Sequence, residues 1–95
     1  MIMKEKQRPI IRNRLRFCRM TYNLKQKQLA FLMGVEATQI SKWEQGVMEP
    51  GGYNTVGLAV ATGRLVEEVF YDYRKEWQET IKKRWKLLNT VEKDM

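Results

Sequence analysis

Residues 26–46 read QKQLAFLMGVEATQISKWEQG, two short stretches of helical apolar spacing joined across a single Gly-Val. Leu29, Ala30 and Met33 fall on one face of the first stretch, and Ile40 and Trp43 on one face of the second. Gly34 supplies the backbone freedom for a sharp turn, Val35 fills the elbow, and Gly46 closes the second helix as a C-terminal cap. Ala30 is small where the two helices must cross closely. A helix-turn-helix asks for this register. The outward side of the second helix carries Thr38, Ser41, Lys42 and Gln45 at i, i+3, i+4 and i+7, which makes one exposed polar stripe. No acidic residue lies between Ala37 and Trp43. Polar stripes are commonplace on surface helices, so this one takes its meaning from the register that carries it.

Reading outward, Ile11, Leu15, Cys18 and Tyr22 recur at helical spacing behind Pro9, which suits a first turn. They predict a helix beginning at Pro9 and stopped at Asn23, a residue that tolerates positive φ. The next two helices span about 25–33 and 37–45. Beyond Pro50, Gly51 and Gly52, a fourth helix over 53–62 offers Val56, Leu58 and Ala59 to a core and ends at Gly63. A fifth covers 65–71. Residues 73–88 form a longer amphipathic helix with the stripe Tyr73, Trp77, Ile81, Trp85 and Leu88. No stretch alternates as a strand would, so the chain reads as all-α. It divides into a polar N-terminal arm at 1–8, a helical domain at 9–71 and a C-terminal helical extension at 72–95.

The 95 residues carry a net charge of +7, and the excess is local. Residues 1–48 hold ten Lys or Arg against three Glu, while residues 49–95 hold eight basic and eight acidic groups. A one-sided positive field favours polyanions, nucleic acid before an anionic membrane. With no His and a single Cys, the chain has neither a structural zinc set nor a Cys-His or Ser-His pair. Glu44 and Glu49 are carboxylates without a catalytic constellation, and Glu44 reads as a surface or salt-bridge residue. These features point away from an enzyme and from any cofactor or metal. Without a long apolar run or a signal-like N-terminus, the expectation is a cytoplasmic protein. Cys18 reads as a small core hydrophobe, with redox sensing as its alternative.

The segments NRLRFCR, LKQKQLAFLMGV, QISKWEQG, LAVATG and VEEVF, with Pro50 between them, resemble the phage repressor and Cro-type helix-turn-helix domains, also called the xenobiotic-response-element family. The resemblance runs from about Ile11 to Phe70. It implies a five-helix, lambda-repressor-like domain whose third helix enters the DNA major groove, with the C-terminal amphipathic helix as an addition. Residue by residue, it assigns base contacts to Ala37, Thr38 and Lys42, with Gln39 and Ser41 beside them, and a phosphate contact that braces the reading helix to Gln26. Arg16, Arg19, Lys25, Lys27 and Gln45 are candidates for further phosphate contacts. Lys25 and Glu36 stand where Ser, Thr or Asp commonly cap helices two and three, so both caps are expected to be weak. Against the family pattern, Thr55 and Thr62 stand in helix four where larger apolar residues are usual, and Gly52 replaces a usual Leu just before it.

The implied function is a sequence-specific, double-stranded DNA-binding transcriptional regulator, a repressor acting as a dimer on an operator. The alternative is a protein-interaction module, antitoxin- or adaptor-like, whose C-terminal helix grips a partner protein. The stripe Tyr73, Trp77, Ile81, Trp85, Leu88 is accordingly either a dimer face or a surface that docks on its own domain. Docking would also cover Phe31 and Leu32, which are apolar where the family is often polar. Membrane binding is disfavoured by Glu76 and Glu79.

Overall fold

The computed structural model describes residues 11–93, six helices in chain order with no strand among them. They are α1 (Leu15–Thr21), α2 (Gln26–Met33), α3 (Ala37–Gln45), α4 (Gly51–Thr62), α5 (Val66–Val69) and α6 (Tyr71–Lys93). The arm at 1–8 and the helix start at Pro9 lie outside the described residues.

Residues 11–14 are not helical, and Asn13 supplies the reason. Its Oδ1 accepts a hydrogen bond from the Leu15 amide at 3.0 Å, an Asx turn just ahead of Arg14, the N-cap of α1. Its Nδ2 donates to the carbonyls of Ile11 and Trp43 at 3.1 and 3.0 Å. The Ile11 amide in turn donates to the Gly46 carbonyl at 2.8 Å. The start of the described chain is thus strapped across the end of α3, and α1 begins at Leu15, later than the apolar spacing predicts.

Asn23 does stop α1, with φ at 64°. Neither Lys25 nor Glu36 makes a side-chain cap, in line with the expectation from their identities. In α2 the reciprocal half of a capping box compensates, because Gln28 Oε1 accepts from the Lys25 amide at 2.7 Å. The α2–α3 turn is left-handed at Gly34 (φ 69°), and the Val35 amide closes it onto the Ala30 carbonyl at 3.0 Å. α3 matches its expected bounds.

The core gathers Leu15 and Cys18 from α1, Leu29 and Ala30 from α2, Ile40 and Trp43 from α3, Leu58 from α4 and Val69 from α5. Full burial of each large apolar side chain contributes about 1.5–3 kcal/mol. Thr62 is buried in place of a larger apolar residue, and its hydroxyl is satisfied by donating to the Leu58 carbonyl at 2.8 Å. Burial pushes the Cys18 thiol above its ordinary pKa, against a smaller opposing pull from Arg64. A protonated, enclosed thiol acts as a hydrophobe, so the structure does not favour redox sensing there.

Several outward positions depart from expectation. Val56 was placed in the core by its spacing, yet it is exposed on the outer side of α4 with Tyr53 and Val60. Phe31 and Leu32 are exposed as well, because α6 does not fold back over them. Tyr22 also lies outside the core.

Phe70 (φ −112°, ψ 46°) interrupts the helix after Val69, so α5 is shorter than expected and α6 begins at Tyr71. The 11–14 strap fixes the base of α6. The Tyr73 hydroxyl accepts from the Arg12 amide at 3.0 Å, and the Arg14 amide donates to the Val69 carbonyl at 2.7 Å. The Arg14 guanidinium lies 4.4 Å from the Tyr71 ring centre and 3.2 Å from Asp72. Tyr73 of the stripe packs at this base, whereas Trp77, Ile81, Trp85 and Leu88 are exposed among the described residues. No helix among the described residues is long and apolar enough to cross a membrane.

Candidate nucleic-acid interface

α3 is held from three sides. Ile40 and Trp43 anchor its inner face, and Gly46, left-handed at φ 77°, ends it beneath the 11–14 strap. From the flank, Glu44 meets Arg19 of α1. Arg19 Nε and Nη2 donate to the two carboxylate oxygens at 2.5 and 3.2 Å, and Nη1 donates to the Leu24 carbonyl at 2.8 Å. The two side chains are only 10% and 4% exposed. Gln26, the first residue of α2, adds a hydrogen bond from Nε2 to Glu44 Oε1 at 3.0 Å. One carboxylate on α3 therefore ties down α1 and the start of α2 together.

Arg19, expected from the sequence to be a candidate phosphate contact, is thus largely buried against Glu44. Three of its five N–H groups are committed to Glu44 and Leu24, so the guanidinium sits in the floor of the site and does not project as an exposed cation. Glu44 is a salt-bridge residue, as one of its two readings had it, but an enclosed one. The Gln26 amide, which holds Glu44 through one N–H, has a second N–H for an external acceptor.

The structure brings Thr38, Ser41, Lys42 and Gln45 onto one side of α3. Thr38, Lys42 and Gln45 are exposed, and Ser41 is half-buried with its Oγ accepting from Gln45 Nε2 at 3.0 Å. Ala37 leans against the core, and Gln39 is half-buried with its amide nitrogen 3.9 Å from the Met48 sulfur. These two stand at the edge of the stripe.

Beside the stripe lies a polar hollow of about 540 Å³, walled by Arg16, Gln26, Ser41 and Gln45 over a floor of Arg19 and Glu44. Arg16 is exposed at its rim, and Lys25 and Lys27 are exposed on either side of Gln26 in sequence. Since Arg19 and Glu44 neutralise each other, the free charges here are those of Arg16, Lys25, Lys27 and Lys42. Chemically, the surface offers donors and cations for an anionic backbone next to a row of hydrogen-bonding side chains for base edges.

Sequence reasoning missed Asn13 and understated Glu44. The signal for the pair was present: Arg19 is four residues beyond Leu15 and next to Cys18, and Glu44 is four beyond Ile40 and next to Trp43. Both charges border apolar faces. Among the described residues no group of acidic, His or Cys side chains could hold a metal.

A family model described as helix-turn-helix matches residues 15–65, more than half of the chain. No curated protein and no solved structure matches the chain.

Proposed function

The chain belongs to the Cro-type helix-turn-helix family of DNA-binding regulators, and from that premise we propose that it is a sequence-specific repressor acting as a dimer. Each subunit sets α3 into the major groove of double-stranded DNA, in successive turns of one face of an operator. Thr38 and Lys42 reach base edges, with Ala37, Gln39 and Ser41 alongside. Arg16, Gln26, Lys25, Lys27 and Gln45 engage phosphates. Repression is by occupancy, because the bound dimer excludes polymerase from the site. The observation that carries this reading is the polar stripe of α3, presented on a helix held at its flank by the buried Arg19–Glu44 pair.

The test is selection of sites from a random double-stranded DNA pool by the full-length protein, at near-physiological salt to suppress non-specific attraction. An enriched inverted repeat supports the proposal, and its two halves should be centred about one helical turn apart. A well-folded protein that enriches no sequence overturns it.

A second reading is favoured by the uncovered α6 stripe: a protein-interaction module in which that helix takes a different protein as partner. It predicts no enriched site and a stable complex that requires Trp77 and Trp85.

A further inference from the structure

We propose that the Trp77–Leu88 face of α6 binds the surface of an anionic lipid bilayer. The inference stands apart from the reading of α3, since it uses no residue assigned to DNA.

α6 is one unbroken helix over Tyr71–Lys93, so its faces follow from spacing at about 100° per residue. Trp77, Trp85 and Leu88 fall within about 40° of Ile81. Trp77 and Trp85 are 58% and 56% exposed, Ile81 44% and Leu88 43%. Arg74 falls on the same line, Arg84 about 60° to one side and Lys82 about 100° to the other. Arg74, Lys82 and Lys86 share an open hollow with Trp77, Ile81 and Trp85, and Arg84 lines another with Trp85, Leu87 and Leu88. The carboxylates are elsewhere. Asp72, Glu76 and Glu79 all lie about 140° or more from Ile81, and Glu92 returns to the line only one turn past Leu88. Glu76 and Glu79, which on the sequence alone counted against a membrane, therefore face away from this surface.

Two of these carboxylates are already engaged. Asp72 meets Arg14 at 3.2 Å and Glu76 meets Arg12 at 3.3 Å, both arginines belonging to the 11–14 strap. The strap thus touches α6 on its acidic side and leaves the stripe clear. Among the described residues, Arg74, Lys82, Arg84 and Lys86 have no carboxylate within ion-pair reach.

Those charges decide what can cover the stripe. A second copy would bring cations against cations. A neutral apolar partner would desolvate them without compensation. Duplex DNA would satisfy the cations and leave the tryptophans wet. An anionic bilayer meets both needs. Indole rings settle at the boundary of headgroups and acyl chains, and Lys and Arg stems lie along an apolar face with their charges among the headgroups. An acidic protein surface has the same sign, but Trp77 to Leu88 spans only about 17 Å of helix. That is short for the about 800 Å² per partner that a stable protein complex buries. Adsorption to a bilayer has no such threshold, since it grows with apolar area and with each cation near the surface.

The experiment adds vesicles to the full-length protein without DNA, at near-physiological salt, and follows co-sedimentation and tryptophan emission. The vesicles are phosphatidylcholine alone or an equal mixture with phosphatidylglycerol. The mixed vesicles should bind the protein and shift its emission to the blue, and phosphatidylcholine alone should bind at least about tenfold more weakly. Replacing Trp77 and Trp85 together by Ala should weaken co-sedimentation at least about tenfold. Circular dichroism should show that variant folded, because both side chains are exposed. Lys82→Gln should weaken binding about fivefold. Lys83→Gln should change it less than about twofold, since Lys83 stands on the far side of the helix, about a Debye length from the lipid. No affinity for the mixed vesicles would overturn the proposal, as would binding that leaves the emission unchanged or survives the loss of both tryptophans. Equal losses for Lys82→Gln and Lys83→Gln would also overturn it, by showing adsorption without a preferred face. So would a blue shift on raising protein concentration alone, which gives the stripe to a second copy. A protein complex that needs both tryptophans, formed by a chain that vesicles do not bind, would give the stripe to a protein instead.

Discussion

Arg19 and Glu44 face each other across α1 and α3 at 2.5 and 3.2 Å, 25 residues apart in sequence and almost closed off from water. A buried pair of this kind does less for stability than its geometry suggests, because both charges had to be desolvated. Its removal is nevertheless asymmetric. Arg19→Met or Glu44→Leu alone should cost about 3–5 kcal/mol in urea unfolding, since each leaves the other charge unpaired. The double replacement should cost clearly less than the two single losses combined. Additive losses would show that the two side chains do not act as a pair.

Arg16, unlike Arg19, is exposed at the rim of the polar hollow. Arg16→Ala should weaken binding to selected and random DNA alike and lower the slope of log K against log salt by about one unit. Its unfolding midpoint should not move. An unchanged slope would place Arg16 outside the footprint.

Lys42 stands in the centre of the α3 stripe. Lys42→Ala should weaken binding to the selected site by about 1–3 kcal/mol more than to random DNA. Equal losses in competition assays would reassign it to a phosphate.

Gly34 holds the turn between α2 and α3 at φ 69°, and a Cβ there would meet nothing within 4 Å. The cost of Gly34→Ala is therefore the left-handed backbone alone, about 1–2 kcal/mol by chemical denaturation. Gly34→Asn should cost less, because Asn visits that region more readily. A larger loss for Asn than for Ala would mean that space, not φ, governs the position.

Cys18 binds its proton more tightly in the folded state, because burial raises its pKa. Above the ordinary thiol range the unfolded chain then holds fewer protons than the folded one, so stability falls as pH rises. Below that range the contribution is fully present. Cys18→Ala should be less stable than wild type near neutrality, yet lose less on going to alkaline pH. Parallel pH profiles in thermal unfolding would count against this account.

The helix-turn-helix was legible because its constraints are local. Gly34 and Gly46 mark left-handed positions, Ile40 and Trp43 mark an inner face, and α3 has the bounds that they imply. The start of α1 was not legible from periodicity, because Ile11 continues the apolar spacing while Asn13 turns the backbone away from a helix. The burial of Arg19 was not legible for a different reason. Whether a guanidinium on a basic helix points to solvent or into the protein depends on what lies opposite, and Glu44 comes from another helix. The outer side of α4 shows the converse: the spacing of Val56 suggested burial, but among the described residues no element covers it.

The three tryptophans divide the molecule optically. Trp43 is 1% exposed in the centre of the domain, whereas Trp77 and Trp85 emit from the surface of α6. Unfolding of the domain shifts the first to the red, and covering of α6 shifts the other two to the blue. Emission spectra recorded across a denaturant series and on covering of α6 therefore report the folding of the domain and the state of that surface separately, without any added label.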